Sequence, residues 1–142
     1  MKFMAIVKAT KDTEAGALPD ERILREMGEF NEKLHKAGVL LAGEGLHPSK
    51  KGARVRFSGT SRTVIDGPFT ETKELIAGFW MLECASLEEC IAWIKQSPNP
   101  HPEETEIEIR QVFAPEDFGD VAPDVIAREE AMRAEIAAKQ KP

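Results

Sequence analysis

Phe3-Met4-Ala5-Ile6-Val7-Lys8-Ala9 carries an apolar side chain at nearly every position. A strand with one wet face alternates apolar and polar residues, whereas a strand covered on both faces does not. The stretch predicts a central strand, so the rest of the chain must supply cover for both faces of its sheet. Leu18-Pro19-Asp20 is a helix start with Asp20 as N-cap. From there Ile23, Met27, Phe30, Leu34 and Ala37 recur at helical spacing until Gly38 ends the run. Val39 to Leu46 reads as a second strand that loosens at Gly43 and Gly45 before His47-Pro48. Ala53 to Ser58 and Arg62 to Asp66 flank Gly59-Thr60-Ser61 as a projecting hairpin.

Ile76 to Cys84 contains Phe79, Trp80, Met81 and Leu82 and predicts another buried strand, with Phe79 and Trp80 on opposite faces. Ser86 and Glu89 have capping-box spacing and open a helix whose inner face is expected at Leu87, Cys90, Ile91 and Ile94. Pro98 and Pro100 end it. Thr105 to Phe113 alternates, with Ile107 and Ile109 on one face and Glu106, Glu108 and Arg110 on the other. This order predicts an α+β fold, a split βαβ arrangement with an inserted hairpin and an antiparallel sheet carrying both helices on one face. Two helices cover one face only. A second copy of the same sheet is the economical cover for the other, which predicts a homodimer. Residues 1–119 are read as the domain and 120–142 as a charged helical tail with a thin apolar seam of Val125, Met132 and Ile136.

At 142 residues the chain suffices for one core without staples. Its 19 Lys and Arg are scattered among 25 Asp and Glu, for a net charge of −6, so no basic stripe is available to neutralise phosphates and nucleic acid is not expected as a partner. The apolar run at the N-terminus is too short for a signal peptide or a membrane span, so no membrane partner and a cytoplasmic location are expected. Cys84 and Cys90 match neither redox nor zinc spacing and are expected as buried, reduced thiols.

The segment Asp66-Gly67-Pro68-Phe69-Thr70-Glu71-Thr72-Lys73-Glu74 is stricter in residue choice than soluble folding demands. Asp66 can accept from backbone amides ahead of it, Gly67 permits unusual backbone angles, Pro68 restricts its neighbour and Phe69 anchors. Together with Gly38 to Leu46, this segment resembles the YCII-related family, in particular its DGPF-domain branch, over about Lys2 to Phe113. The resemblance implies a ferredoxin-like unit that pairs sheet to sheet into a dimeric α/β barrel. It also implies a cleft with an acid and a histidine, and for the DGPF branch a stress or sigma-factor signalling context. Asp66 matches the acid. The family's histidine lies on the first helix, where the inward positions here are Ile23, Met27, Phe30 and Leu34 and His35 falls beside that face.

His47, at the mouth of the sheet, is therefore the better partner for Asp66. Asp66 reads either as a general acid or base or as the acceptor of an Asx turn. Glu44 and His47 are spaced E-x-x-H, but the flanking glycines remove the helical geometry that would make a metal site, so no metal and no cofactor is expected. Arg54 and Arg56 share a strand face, either as guanidinium forks for a carboxylate or phosphate or as a solvated hairpin face. Trp80 can line a cleft or the core. His101, between Pro100 and Pro102, is expected in solvent. The leading expectation is a small-molecule cleft built from Asp66 and His47 with Glu44, Arg54 and Trp80, performing cofactor-free acid-base chemistry of the isomerase or lyase kind. The rival is a non-catalytic binding or regulatory module.

Overall fold

The computed structural model describes residues 1–139 and divides into two compact units, Met1–Val112 and the residues from Phe113 onward. In the first unit the elements run β1 (Lys2–Lys8), α1 (Lys11–Glu14), α2 (Glu21–Lys36), β2 (Leu40–Gly45), β3 (Ala53–Ser58), β4 (Ser61–Asp66), β5 (Ile76–Glu83), α3 (Leu87–Ile94) and β6 (Ile107–Gln111). The main sheet has the order β2-β5-β1-β6, and every neighbouring pair is antiparallel. Each long helix carries the chain over one strand, α2 past β5 and α3 past β1. This is the split βαβ order expected from the pattern of the sequence, and it is consistent with the ferredoxin-like unit that the resemblance implies. β3 and β4 form a separate two-stranded sheet.

Register assigns the two faces of the main sheet. Phe3, Ala5 and Val7 pair with Leu82, Trp80 and Gly78 of β5, while Ala5 and Val7 pair with Ile109 and Ile107 of β6. These rows face the helices, where Phe3, Ala5, Trp80 and Leu82 join Phe30, Leu34 and Cys90 in one core. Fully burying side chains of this size contributes about 1.5–3 kcal/mol each. Met4 and Ile6 pair with Met81 and Phe79 and, on the other side, with Arg110 and Glu108, which puts all six on the opposite, helix-free face. That face is apolar at its centre and charged along β6. Glu108 accepts from Arg110 Nη1 at 3.4 Å and pairs with Lys8 Nζ at 3.4 Å, and these bonds, that from Arg110 first, hold its carboxyl below the ordinary glutamate range.

Local signals explain most boundaries. Asp20 Oδ1 accepts from Ile23 N at 2.8 Å, and Gly38 leaves α2 with a positive φ of 73°. Several expectations need correcting. α1, with Thr10 as its cap, was not anticipated. In α2 only Phe30 and Leu34 are buried, whereas Ile23 and Met27 remain half-buried, Met27 packing against the edge of the core. In α3 the inner face is Cys90, Trp93 and Ile94, while Leu87 and Ile91 are exposed, because Trp93 and not Ile91 lies one turn below Cys90 on the sheet side. Ser86 Oγ caps Glu89 N at 3.1 Å as expected, but the returning bond from Glu89 goes to Ala85 N, one residue before the cap. β6 is shorter than Thr105–Phe113, since Thr105 Oγ1 is drawn to Asn99 Oδ1 at 2.7 Å.

In the second unit a short turn of 3-10 helix, Pro115–Phe118, precedes α4 (Pro123–Lys139). Phe113 and Phe118 pack at 5.3 Å between ring centroids. No residue of α4 is buried, and Val125, Met132 and Ile136 stay about half exposed.

Both cysteines are free and buried, as expected. Burial, followed by the neighbouring Cys84, pushes the Cys90 thiol up to about 12, and burial likewise raises Cys84. An unfolded thiol ionises near 9, so above that pH the native chain retains a proton that the unfolded chain has lost. Stability should therefore fall as pH rises from about 9 toward 12. Urea unfolding at a series of alkaline pH values should show a shallower decline for Cys90→Ala than for the parent, measured under reducing conditions.

Candidate binding cleft

Between α1, the start of α2 and the ends of β2 and β5 lies a cleft of about 960 Å³. Its existence follows from glycine. On the helix face, Gly43 pairs with Trp80 and Gly45 with Gly78, so the floor at this edge of the sheet is bare backbone. The strands come close enough that a Cβ at Gly78 would stand 2.8 Å from the Glu44 carbonyl oxygen, and one at Gly43 would stand 3.1 Å from the Trp80 indole. A Cβ at Gly45 would meet nothing within 4 Å. Ile23 and Met27 of α2 line the cleft from above, and the segment 98–102, with His101, closes one side. Trp80 is fixed on two sides, edge-to-face on Phe30 at 5.6 Å and by Nε1 donating to Asn31 Oδ1 at 2.8 Å.

Of the residues singled out from sequence, Glu44, His47 and Trp80 border this cleft. Trp80 forms its inner wall and His47 its exposed rim. Glu44 lies between Gly43 and Gly45 and pairs with Phe79, so strand alternation turns its carboxylate to the helix-free face even though the residue borders the cleft. Asp66 and Arg54 lie elsewhere, at the base of the hairpin. Arg54 stacks its guanidinium 3.8 Å above the Phe69 ring. Asp66 is exposed, and among the described residues its side chain takes no hydrogen bond and no ion pair. The Asx-turn reading therefore does not hold. The sequence reading missed two residues that border the cleft, Asn31 and His101; His101 is not in solvent but only 7% exposed.

What fastens the Asp66–Phe69 turn is Ser49. Its Oγ accepts from Phe69 N at 2.9 Å, its N donates to Glu14 Oε2 at 2.9 Å, and its hydroxyl donates to Glu14 Oε1. Gly67 N donates to Gly52 O at 3.0 Å, and a Cβ on Gly67 would fall 1.8 Å from the Ser49 carbonyl oxygen. The turn thus presses backbone on backbone, which only glycine allows. Among the described residues, no group of three His, Cys, Asp or Glu is placed to hold a metal ion, and no helix is long and apolar enough to cross a membrane.

The model of the YCII-related domain matches residues 1–114. The chain belongs to the YCII-related family. It is also similar to an uncharacterized protein of Rhizobium meliloti (strain 1021), 36% identical over 91 residues that cover 64% of this chain and 73% of that relative. In this YCII-related chain the matched region spans the whole four-stranded sheet, the cleft and the Ser49 clasp.

The clasp and the free carboxylate should separate by mutation. Ser49→Ala removes an acceptor and a donor at a half-buried site and should cost about 1–3 kcal/mol, read as a loss in denaturant midpoint. Gly67→Ala should cost more, because backbone must move. Asp66→Ala, at an exposed side chain without partners, should stay within about 0.5 kcal/mol.

Proposed function

We propose that this YCII-related protein binds a small organic molecule in the glycine-floored cleft and acts there, without a cofactor, by acid-base chemistry of the isomerase or lyase kind. The observation that carries the reading is the absence of side chains at Gly43, Gly45 and Gly78, which line one cleft with Ile23, Met27 and Trp80. A sheet covered by helices ordinarily fills such a space to the density of an organic crystal. Here strands and helix stand apart around a space of the volume that small-molecule sites have. The two imidazoles that border it, His47 and His101, each carry ring nitrogens able to give or take a proton. Asp66, kept away from the cleft by the Ser49 clasp, is assigned no part in it in this reading, although its Asp-Gly-Pro-Phe turn supports membership of the DGPF branch.

The same reading includes a homodimer. Met4, Ile6, Phe79 and Met81 form an apolar centre on the helix-free face, with Glu44 at one edge and Glu108, Arg110 and Lys8 at the other. A second copy of that face would cover it and build the two-sheet barrel that the resemblance implies, with the charged edges at its rim.

Gly45→Val tests the cleft. The new side chain enters open space on an edge strand, where a β-branched residue is well tolerated, so the fold should persist while ligand-observed NMR hits from a fragment library disappear. Retention of all hits would reject the cleft as the site. Light scattering should return twice the 15.7 kDa chain mass at micromolar concentration, and Met81→Glu should shift it to the monomer.

A further inference from the structure

His101 is the one buried polar or charged side chain among the described residues. Its Nε2 lies 2.9 Å from the carbonyl oxygen of Lys8, at the end of the central strand. A carbonyl only accepts, so Nε2 carries a hydrogen, and in the neutral ring Nδ1 is then the bare nitrogen. The loop that presents the ring is braced against turning. His101 N donates to Asn99 Oδ1 at 3.1 Å, Asn99 Nδ2 donates to Glu103 O at 3.0 Å, and Pro98, Pro100 and Pro102 restrict the intervening backbone.

Nδ1 has no hydrogen-bond partner among the described residues. No fully buried side-chain nitrogen or oxygen among the described residues lacks a hydrogen bond, so Nδ1 keeps some accessible surface, and His101 is among the residues that line the cleft. Several other neutral polar atoms around that space are already used, while the exposed His47 ring and the Asn31 amide nitrogen have no bond among the described residues. Asn31 Oδ1 takes the Trp80 indole, and the Thr10 and Thr13 hydroxyls bond one another and the backbone of α1.

We infer that Nδ1 of His101 is the acceptor by which the cleft selects its ligand, and that the ligand class is an apolar ring or chain carrying an O–H or N–H donor. The inference rests on the cleft being the binding site and adds what it recognises. A ligand without a donor would cover Nδ1 and leave it unpaired, whereas a donor-bearing one would complete the bond chain from the Lys8 carbonyl through the ring to the ligand.

Phenol and anisole form a matched pair of probes, alike in the ring and differing in the donor. Titrations followed by NMR should give a preference for phenol over anisole in the parent that falls roughly tenfold in His101→Phe. Both probes should lose binding in Gly45→Val. In the parent at pH 8, long-range proton–nitrogen spectra should show a protonated Nε2 and a bare Nδ1, with Nδ1 moving on addition of phenol and not of anisole, a readout that does not depend on any variant folding. An unchanged preference in His101→Phe, a proton on Nδ1, or an Nδ1 signal indifferent to phenol overturns the inference while leaving the cleft reading intact. Binding of both probes untouched by Gly45→Val overturns the cleft reading and the inference with it.

Discussion

The indole of Trp80 lies over the bare backbone of Gly43, and much of the first unit is organised around that contact. Any side chain at position 43 would press on Cδ1 of the ring, so glycine sets how deep Trp80 can settle into the sheet. With the ring at that depth, its edge-to-face contact on Phe30 and its bond to Asn31 fix where α2 crosses. Phe30 and Leu34, in the second half of the helix, are thereby sealed into the core. Ile23 and Met27, in the first half, line the cleft together with Gly45 and Gly78, and Met27 also packs against the core. Core and cleft are thus two halves of one helix–sheet interface, divided at Trp80.

Alternation along β2 then sorts chemistry between the faces of the sheet. Gly43 and Gly45 clear the helix face, and Glu44 between them contributes its carboxylate to the other side, in line with Phe79, Ile6 and Glu108. A one-residue change of register would exchange these roles, placing a carboxylate in the cleft and a gap in the apolar face. The bulge between Leu40 and Ala42 sets that register, with Leu40 returned to the core side against Leu82.

The elements legible in the sequence were those whose signals are local. The apolar run of β1, the Asp20 cap and Gly38 stop of α2, and the Ser86 cap of α3 each act within a few residues, and their spacing was enough to yield the strand–helix order and with it the split βαβ arrangement. The site residues were harder, because their roles depend on partners far along the chain. His101 reads as a loop histidine until the Lys8 carbonyl, 93 residues away, is placed beside it. Proline on both sides was the available signal, since it marks a backbone held in place, but it does not say against what. The inner face of α3 was misread for a related reason: Leu87, Cys90, Ile91, Trp93 and Ile94 offer two overlapping apolar stripes, and only the position of the sheet chooses between them.

The Asp66–Phe69 turn shows how a strict motif can belong to the scaffold. Its glycine is required by contact with the Ser49 carbonyl, and its phenylalanine contributes a backbone N–H to Ser49 Oγ and a ring to Arg54. The glycine and the Phe69 N–H both point toward Ser49, the ring toward Arg54, and none engages the Asp66 side chain. Glu14 ends α1, one wall of the cleft, and Ser49 follows directly on the strand end that carries His47. The clasp therefore ties the hairpin base to both the α1 wall and the His47 rim, and through them the motif bears on the cleft's shape without entering it. Asp66, exposed and without a side-chain partner among the described residues, thus stands at the molecular surface beside the clasp and outside the lining of the cleft.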